Sequence, residues 1–205
     1  MRNNLKMMPD YKISLIDFND SFSHNILSCL YEMNLGCDLV NYKNIDHSLT
    51  SHNVNIIILG PGPGHPRDYN FLLAPWLKKW LSNSSVHILG ICLGHQIILD
   101  FLGFKLYKRI SPSHGISKKI LIPEWNDYFN LSEQSQIIKV QEYNSLFVRP
   151  SKSHSNISVD YISIDDEIVM AKNDRFISYQ FHPESIGTEN SDLFFNFIKR
   201  RLKGE

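Results

Sequence analysis

One stretch governs what this chain can fold into: Leu89-Gly90-Ile91-Cys92-Leu93-Gly94-His95-Gln96, set between two apolar runs. Val86-His87-Ile88-Leu89 leads in and reads as a buried strand. Gln96-Ile97-Ile98-Leu99-Asp100-Phe101-Leu102 leads out and reads as a helix ended by Gly103. A cysteine with glycines two residues to either side, at a strand-to-helix turn, is the thiol counterpart of the G-x-S-x-G nucleophile elbow. Gly90 and Gly94 lack Cβ atoms, so the turn can be tight and other backbone can come close. The helix start offers free N–H groups and a positive dipole end beside the sulfur, surroundings that favour thiolate over thiol.

Taken alone, such a cysteine is commonly a small core hydrophobe. Phe181-His182-Pro183-Glu184-Ser185, far downstream, changes that reading. A cysteine nucleophile needs a base close by, and the base needs an orienting group. Pro183 biases His182 towards extended backbone, in which residues two apart share a face. Glu184 can therefore steady the His182 ring.

The rest of the chain alternates strands and helices. Ile13-Ser14-Leu15-Ile16-Asp17 reads as a first buried strand. A helix follows, capped by Asp20 or Ser21, with Phe22, Ile26, Leu30 and Met33 on its apolar face and Gly36 at its end. Cys37-Asp38-Leu39-Val40 starts a second strand, and Asn55-Ile56-Ile57-Ile58-Leu59 is a third, apolar enough to be covered on both faces. Tyr69 to Leu81 reads as helical, with Pro75 beginning or kinking Trp76-Leu77-Lys78-Lys79-Trp80-Leu81. Phe104-Lys105-Leu106-Tyr107 reads as a strand, and Ser111 to Lys119 as a polar loop. From Leu121 to Met170 short strands, including Ile137–Val140 and Ile162–Ile164, suggest an antiparallel addition to the main sheet. Phe176 to Phe181 is the strand that delivers His182, and Leu193 to Leu202 a closing helix. This alternation predicts a doubly wound, mostly parallel α/β sheet flanked by helices.

With 205 residues, 42% of them hydrophobic, the chain suits one domain, 1–205, with residues 1–10 a peripheral extension. A formal net charge of zero gives no reason to invoke nucleic acid or an anionic membrane, and no stretch has the length of a membrane span. Three cysteines are too few, and odd in number, for a disulfide framework; they fit a reducing cytosol. Cys29 and Cys37 read as core or near-core residues, and no Cys/His couplets have zinc spacing. Gly60-Pro61-Gly62-Pro63-Gly64 follows a buried strand, where α/β folds place ligands. Its glycines can aim N–H groups at a tetrahedral oxyanion. No Gly-Lys-Ser/Thr follows, so it is not a phosphate loop.

Five segments carry a family resemblance: Asp17-Phe18-Asn19-Asp20-Ser21-Phe22, Pro61-Gly62-Pro63-Gly64, Gly90 to Gln96, Tyr143-Asn144-Ser145-Leu146, and Gln180 to Ser185. In this order, over nearly the whole chain, they resemble the class I (triad-type) glutamine amidotransferases, and most of all the glutaminase subunits of anthranilate and aminodeoxychorismate synthases. The resemblance implies that Cys92, His182 and Glu184 are nucleophile, base and orienter. It implies that Gly62, Pro63 and Gly64 form the oxyanion segment, with the N–H groups of Gly62 and Leu93 as its donors. Gln96, Ser145 and Leu146 would hold the amino-acid end of L-glutamine. It also implies a chorismate-using synthase subunit (component I) as partner, reached through Ser113-His114-Gly115-Ile116-Ser117. No cofactor or metal is implied in this chain, with magnesium expected only in the partner. Two positions depart from the family's pattern: Ile116 stands where lysine is usual, and Asn144 where histidine is usual. A stand-alone cysteine hydrolase of γ-glutamyl substrates is the alternative enzyme reading, and a regulatory subunit that keeps the fold is the alternative without chemistry.

Overall fold

A computed structural model describes residues 12–49, 54–122, 125–129, 137–151 and 157–203; the proposed extension at 1–10 lies outside them. In chain order the elements are β1 (Ile13–Asp17), α1 (Phe22–Glu32), β2 (Asp38–Asn41), α2 (Ile45–Leu49), β3 (Ile56–Leu59), α3 (Arg67–Ser82), β4 (His87–Ile91) and α4 (Leu93–Phe101). They continue with β5 (Leu106–Lys108), β6 (Ile116–Leu121), α5 (Asn126–Phe129), β7 (Ile137–Glu142), β8 (Leu146–Val148), β9 (Asp160–Ile164), β10 (Glu167–Lys172), β11 (Phe176–Tyr179) and α6 (Ser191–Lys203). Seven strands form one sheet in the order β2-β1-β3-β4-β11-β10-β9. β2 through β11 in that order run parallel, and β10 and β9 are antiparallel. The expected doubly wound α/β architecture is what forms.

The central strands are apolar on both faces because both faces are covered. Leu15, Ile58, Leu89, Ile91, Ile177 and Tyr179 pack with Ile26 and Leu30 of α1 and Phe194 and Ile198 of α6. On the other face Ile16, Ile57, Leu59 and Ile88 pack with Leu73 and Leu77 of α3 and Ile97 and Ile98 of α4. Each such fully buried side chain contributes about 1.5–3 kcal/mol, so this two-sided layering dominates the fold's stability.

Local signals decide some ends and mislead at others. Gly103, at φ 90°, closes α4 as expected: its N–H donates to Asp100, and Phe104 N–H reaches back to Leu99. The end of α1 differs. Asn34, at φ 59°, takes the left-handed position ahead of Gly36, and the N–H groups of Asn34 and Leu35 return to Tyr31 and Leu30. Asparagine tolerates that conformation, so the helix ends before the glycine is reached. At the start of α1 the Asp20 carboxylate accepts from Phe22 N–H, while Ser21 makes no cap with its side chain.

Three further expectations change. α3 runs continuously through Pro75 instead of beginning there, because Leu73, Leu77 and Trp80 bury one face along its length. The supposed polar loop 111–119 turns into β6 at Ile116, whose partner β7 lies too far along the sequence for any local signal. Of the antiparallel strands, only β9 and β10 extend the main sheet. β6–β7 and β5–β8 are separate two-stranded ribbons.

Candidate active site

Register brings the two motifs together. β11 lies beside β4 in parallel, with Ser178 opposite Gly90 and Tyr179 opposite Ile91. The next hydrogen bond runs from Cys92 N–H to the Tyr179 carbonyl at 2.8 Å, so the chain leaving β11 passes the sulfur within three residues of His182. The Gly60–Gly64 segment leaves β3, the other neighbour of β4. All three segments emerge at the carboxyl ends of adjacent parallel strands, where open α/β sheets bind ligands.

The elbow is strained and tightly fitted. Cys92 sits at φ 52° and ψ −99°, a conformation costing on the order of 1–3 kcal/mol that its surroundings must impose. Two absent side chains permit it. A Cβ on Gly94 would lie 2.0 Å from the Leu59 carbonyl oxygen, and one on Gly90 would lie 2.9 Å from the Gly94 carbonyl. α4 starts at Leu93, directly after the cysteine and three residues before the apolar periodicity suggested, so its free N–H groups surround the turn.

A cavity of about 150 Å³ opens on this turn, lined by Gly62, Pro63, Gly64, Cys92, Leu93, Gln96, Tyr143, Asn144, Ser145 and Leu146. A pocket of this volume suits a small molecule or a single side chain. Every residue expected to bind substrate lies in this lining. His182 and Glu184 do not; they are buried outside it. A larger cavity of about 350 Å³, beside Asn173, Asp174 and Arg175, has neither cysteine nor histidine in its lining.

His182 Nδ1 lies 2.7 Å from Glu184 Oε1. A carboxylate only accepts, so Nδ1 carries the proton and Nε2 is the nitrogen left for chemistry. Nε2 is buried and has no other partner, which leaves it to the neighbouring Cys92 sulfur. Burial opposes a charged ring here, but the neighbouring Cys92 sulfur, by charge and by hydrogen bonding, and then the Glu184 carboxylate outweigh it, holding the His182 pKa well above its usual value. The ring is packed between Phe22 at 4.8 Å and Tyr143 at 5.1 Å between centroids. Its backbone is clamped on both sides: His182 N–H donates to Gln141, and the Thr188 hydroxyl donates to the His182 carbonyl.

The opposite wall is fixed by side-chain amides. Gln96 Nε2 donates to the Leu146 carbonyl at 2.9 Å and to Gln180 Oε1 at 3.1 Å, and Asn144 Nδ2 donates to the same carbonyl at 2.8 Å. Arg109 braces the far side. Its N–H donates to the Ser145 carbonyl, and its guanidinium pairs with Glu142 and Glu167, to which Lys118 also binds. Sequence reasoning missed Gln180, whose amide lies 3.8 Å from the Cys92 sulfur, as well as Phe22 and Tyr143. Gln180 precedes His182 by two residues, so the same-face rule that picked out Glu184 points to it as well. Phe22 and Tyr143 stand in the segments Asp17–Phe22 and Tyr143–Leu146 quoted above, but they meet His182 only through the tertiary fold.

His95 belongs to the core and not to this chemistry. It is fully buried, with Nε2 3.1 Å from the Ile168 carbonyl and Nδ1 2.9 Å from Ser178 Oγ, and burial pushes its pKa down to about 3. Among the described residues no group of three or more His, Cys, Asp and Glu is arranged to hold a metal, and no helix is long and apolar enough to cross a membrane.

The family model described as "Glutamine amidotransferase class-I" matches residues 14–200. Anthranilate synthase component 2 of Cyanidium caldarium is 32% identical, covering 91% of this chain and 97% of that protein. The protein of the same description from Saccharolobus solfataricus is also 32% identical, with the same 91% and 97% coverage. Among solved structures, a Thermoplasma acidophilum protein described as a component of GMP synthase superposes with a TM-score of 0.76. It covers 95% of this chain and 94% of its own at 20% identity, a likeness of fold.

Proposed function

The chain belongs to the class I glutamine amidotransferases, and on that footing we propose that Cys92, His182 and Glu184 hydrolyse L-glutamine to glutamate and ammonia. The Cys92 thiolate attacks the side-chain carboxamide carbon, forming a C–S bond as the carbonyl electrons move to oxygen. The N–H groups of Gly62 and Leu93 receive that oxyanion. The His182 imidazolium gives its Nε2 proton to the amide nitrogen; the C–N bond breaks, and ammonia leaves a γ-glutamyl thioester on Cys92. Neutral His182 then takes a proton from water, hydroxide attacks the thioester, and the C–S bond breaks to give glutamate. Thiolate and imidazolium are restored. Glu184 accepts from Nδ1–H throughout and stabilises the charged ring. The observation that carries this reading is the small cavity over a strained cysteine, one strand away from a buried histidine whose second nitrogen is bound to a carboxylate.

The ammonia feeds a chorismate-using synthase subunit (component I), which makes anthranilate or 4-amino-4-deoxychorismate. The component 2 relatives support such a partner. Ammonia is protonated in neutral water, so a docked subunit must receive it along a sheltered path. The docking face we favour surrounds Gln141, whose amide donates to the Gly115 carbonyl and accepts from Ser185. The flanking Ile116 and Ile186 are 51% and 105% exposed, apolar groups for which a partner would account.

The test is glutamate release by the wild-type chain, together with product formation by the complex that copurifies with it. Cys92→Ala should abolish glutamine-dependent product and leave ammonia-dependent product intact. Equal loss with both nitrogen sources would refute the division of labour. Faster turnover of γ-glutamyl peptides than of glutamine would favour a stand-alone hydrolase.

A further inference from the structure

The segment Gly60-Pro61-Gly62-Pro63-Gly64 has almost nothing of its own to hold it in place: its two prolines carry no N–H, and its glycines carry no side chain. Backbone ties only its first residue, Gly60, whose N–H donates to the Ile16 carbonyl and whose carbonyl accepts from Gly94 N–H; beyond Gly60 an aromatic cluster holds it from outside. Tyr69, in the first turn of α3, is buried, and its hydroxyl donates to the Pro63 carbonyl at 2.8 Å. The Tyr69 ring meets Phe18 edge-on at 4.9 Å and Tyr42 edge-on at 5.1 Å. Phe18 in turn abuts the middle of the segment, since a Cβ on Gly62 would lie 2.5 Å from Phe18 Cβ, with Leu93 Cδ2 at 2.6 Å. Phe18 thus sets Gly62, and the Tyr69 hydroxyl sets Pro63. A peptide unit is planar and trans, so anchoring the Pro63 carbonyl on Tyr69 also fixes the opposed direction of the Gly64 N–H. Pro63 and Gly64 line the cavity beside Cys92, and Tyr69 does not. Burial, followed by the neighbouring Tyr42, Asp68 and Asp20, raises the Tyr69 pKa, so the phenol remains a donor.

We propose that Tyr69 is a positioning residue for glutamine hydrolysis, holding the Gly62–Gly64 wall through the Pro63 carbonyl so that the Gly62 N–H meets the oxyanion already aligned. This rests on the glutaminase reading above. Preorganised donors act because they need not be gathered during the reaction. Loss of a direct oxyanion donor costs about 10²–10³-fold, and loss of the residue that aligns one should cost about tenfold.

Tyr69→Phe removes one oxygen and keeps the ring packing, so the variant should fold. Three measurements on the full chain decide the matter: glutamate release, alkylation of Cys92 by iodoacetamide, and hydrogen exchange over residues 60–66. Displacement at iodoacetamide forms no oxyanion. We therefore expect kcat to fall about tenfold with KM little changed, alkylation at the wild-type rate, and faster exchange in the segment. Unchanged kcat, unchanged exchange, or alkylation slowed in parallel with kcat would each overturn the proposal. A wild-type chain that releases no glutamate would overturn the glutaminase reading as well, whereas a silent Tyr69→Phe variant of an active wild type overturns this proposal alone.

Discussion

Gly94→Ala should damage both stability and turnover, for a reason visible in one contact. The new Cβ would sit 2.0 Å from the Leu59 carbonyl oxygen and 2.7 Å from the Leu59 carbonyl carbon. Leu59 ends a fully buried central strand, and Gly94 N–H already donates to the Gly60 carbonyl at 3.2 Å, so neither side can yield cheaply. Relief from 2.0 Å to an ordinary contact of 3.4 Å or more moves the start of α4 outward by more than 1 Å. Overpacking of this kind costs about 1–3 kcal/mol, and a clash with backbone belongs at the upper end. At roughly 2–4 °C per kcal/mol for a chain of this size, the melting temperature should fall by about 6–12 °C. The retreating helix carries Leu93 N–H with it, while Cys92 stays bonded to Tyr179. A misplacement of about 1 Å can cost about 100-fold in rate. Thermal melts followed by circular dichroism, with glutamate release assayed well below the transition, measure both effects. Gly36→Ala is the control, since a Cβ there meets nothing within 4 Å. A Gly94→Ala protein that melts within about 2 °C of wild type and turns over normally would refute this account of the elbow.

Glu184→Gln should lower kcat with little effect on KM, because Glu184 orients and stabilises the His182 ring without attacking; the loss can reach about 10⁴-fold in serine triads. Steady-state kinetics at saturating glutamine measure it, and wild-type turnover would make Glu184 structural. Thiol labelling at pH 8 should mark Cys92 and spare Cys37, whose thiol burial pushes up to about 12, and Cys29, which burial also raises. Peptide mapping that finds Cys37 labelled first would contradict this. His95 predicts an acid limit. Its folded pKa of about 3 lies below its unfolded value, so from about pH 6.5 down to about 3 the unfolded chain binds the extra proton and stability falls with pH. The ring's share is on the order of 5 kcal/mol, read as the slope of urea-unfolding free energy against pH. An equal slope in His95→Gln would assign the loss to other groups.

What the sequence made legible is what short-range chemistry decides. The strand-turn-helix at Cys92, the αL glycine at Gly103 and the two-sided burial of β3 follow from spacing and residue type within about ten positions. Asn34 shows the limit of a glycine-first rule, since asparagine reaches the same backbone conformation earlier in the chain. Pro75 shows a local preference overridden by burial along a helix face. The ribbon β5–β8 joins two three-residue strands about forty positions apart, and nothing in either names the other. The same holds at the site. Cys92, His182 and Glu184 announce themselves by motif, whereas Phe22, Tyr143 and Tyr69 act through contacts that only the fold creates.

The most direct test of the central claim is the mass of the chain quenched in acid during glutamine turnover and then mapped by peptide. A γ-glutamyl adduct, glutamine less ammonia, is expected on the peptide that contains Cys92, absent from Cys92→Ala and accumulating when water attack is slowed. Recovery of that mass on the peptide containing Cys29 or Cys37 would contradict it, as would glutamate release undiminished in Cys92→Ala.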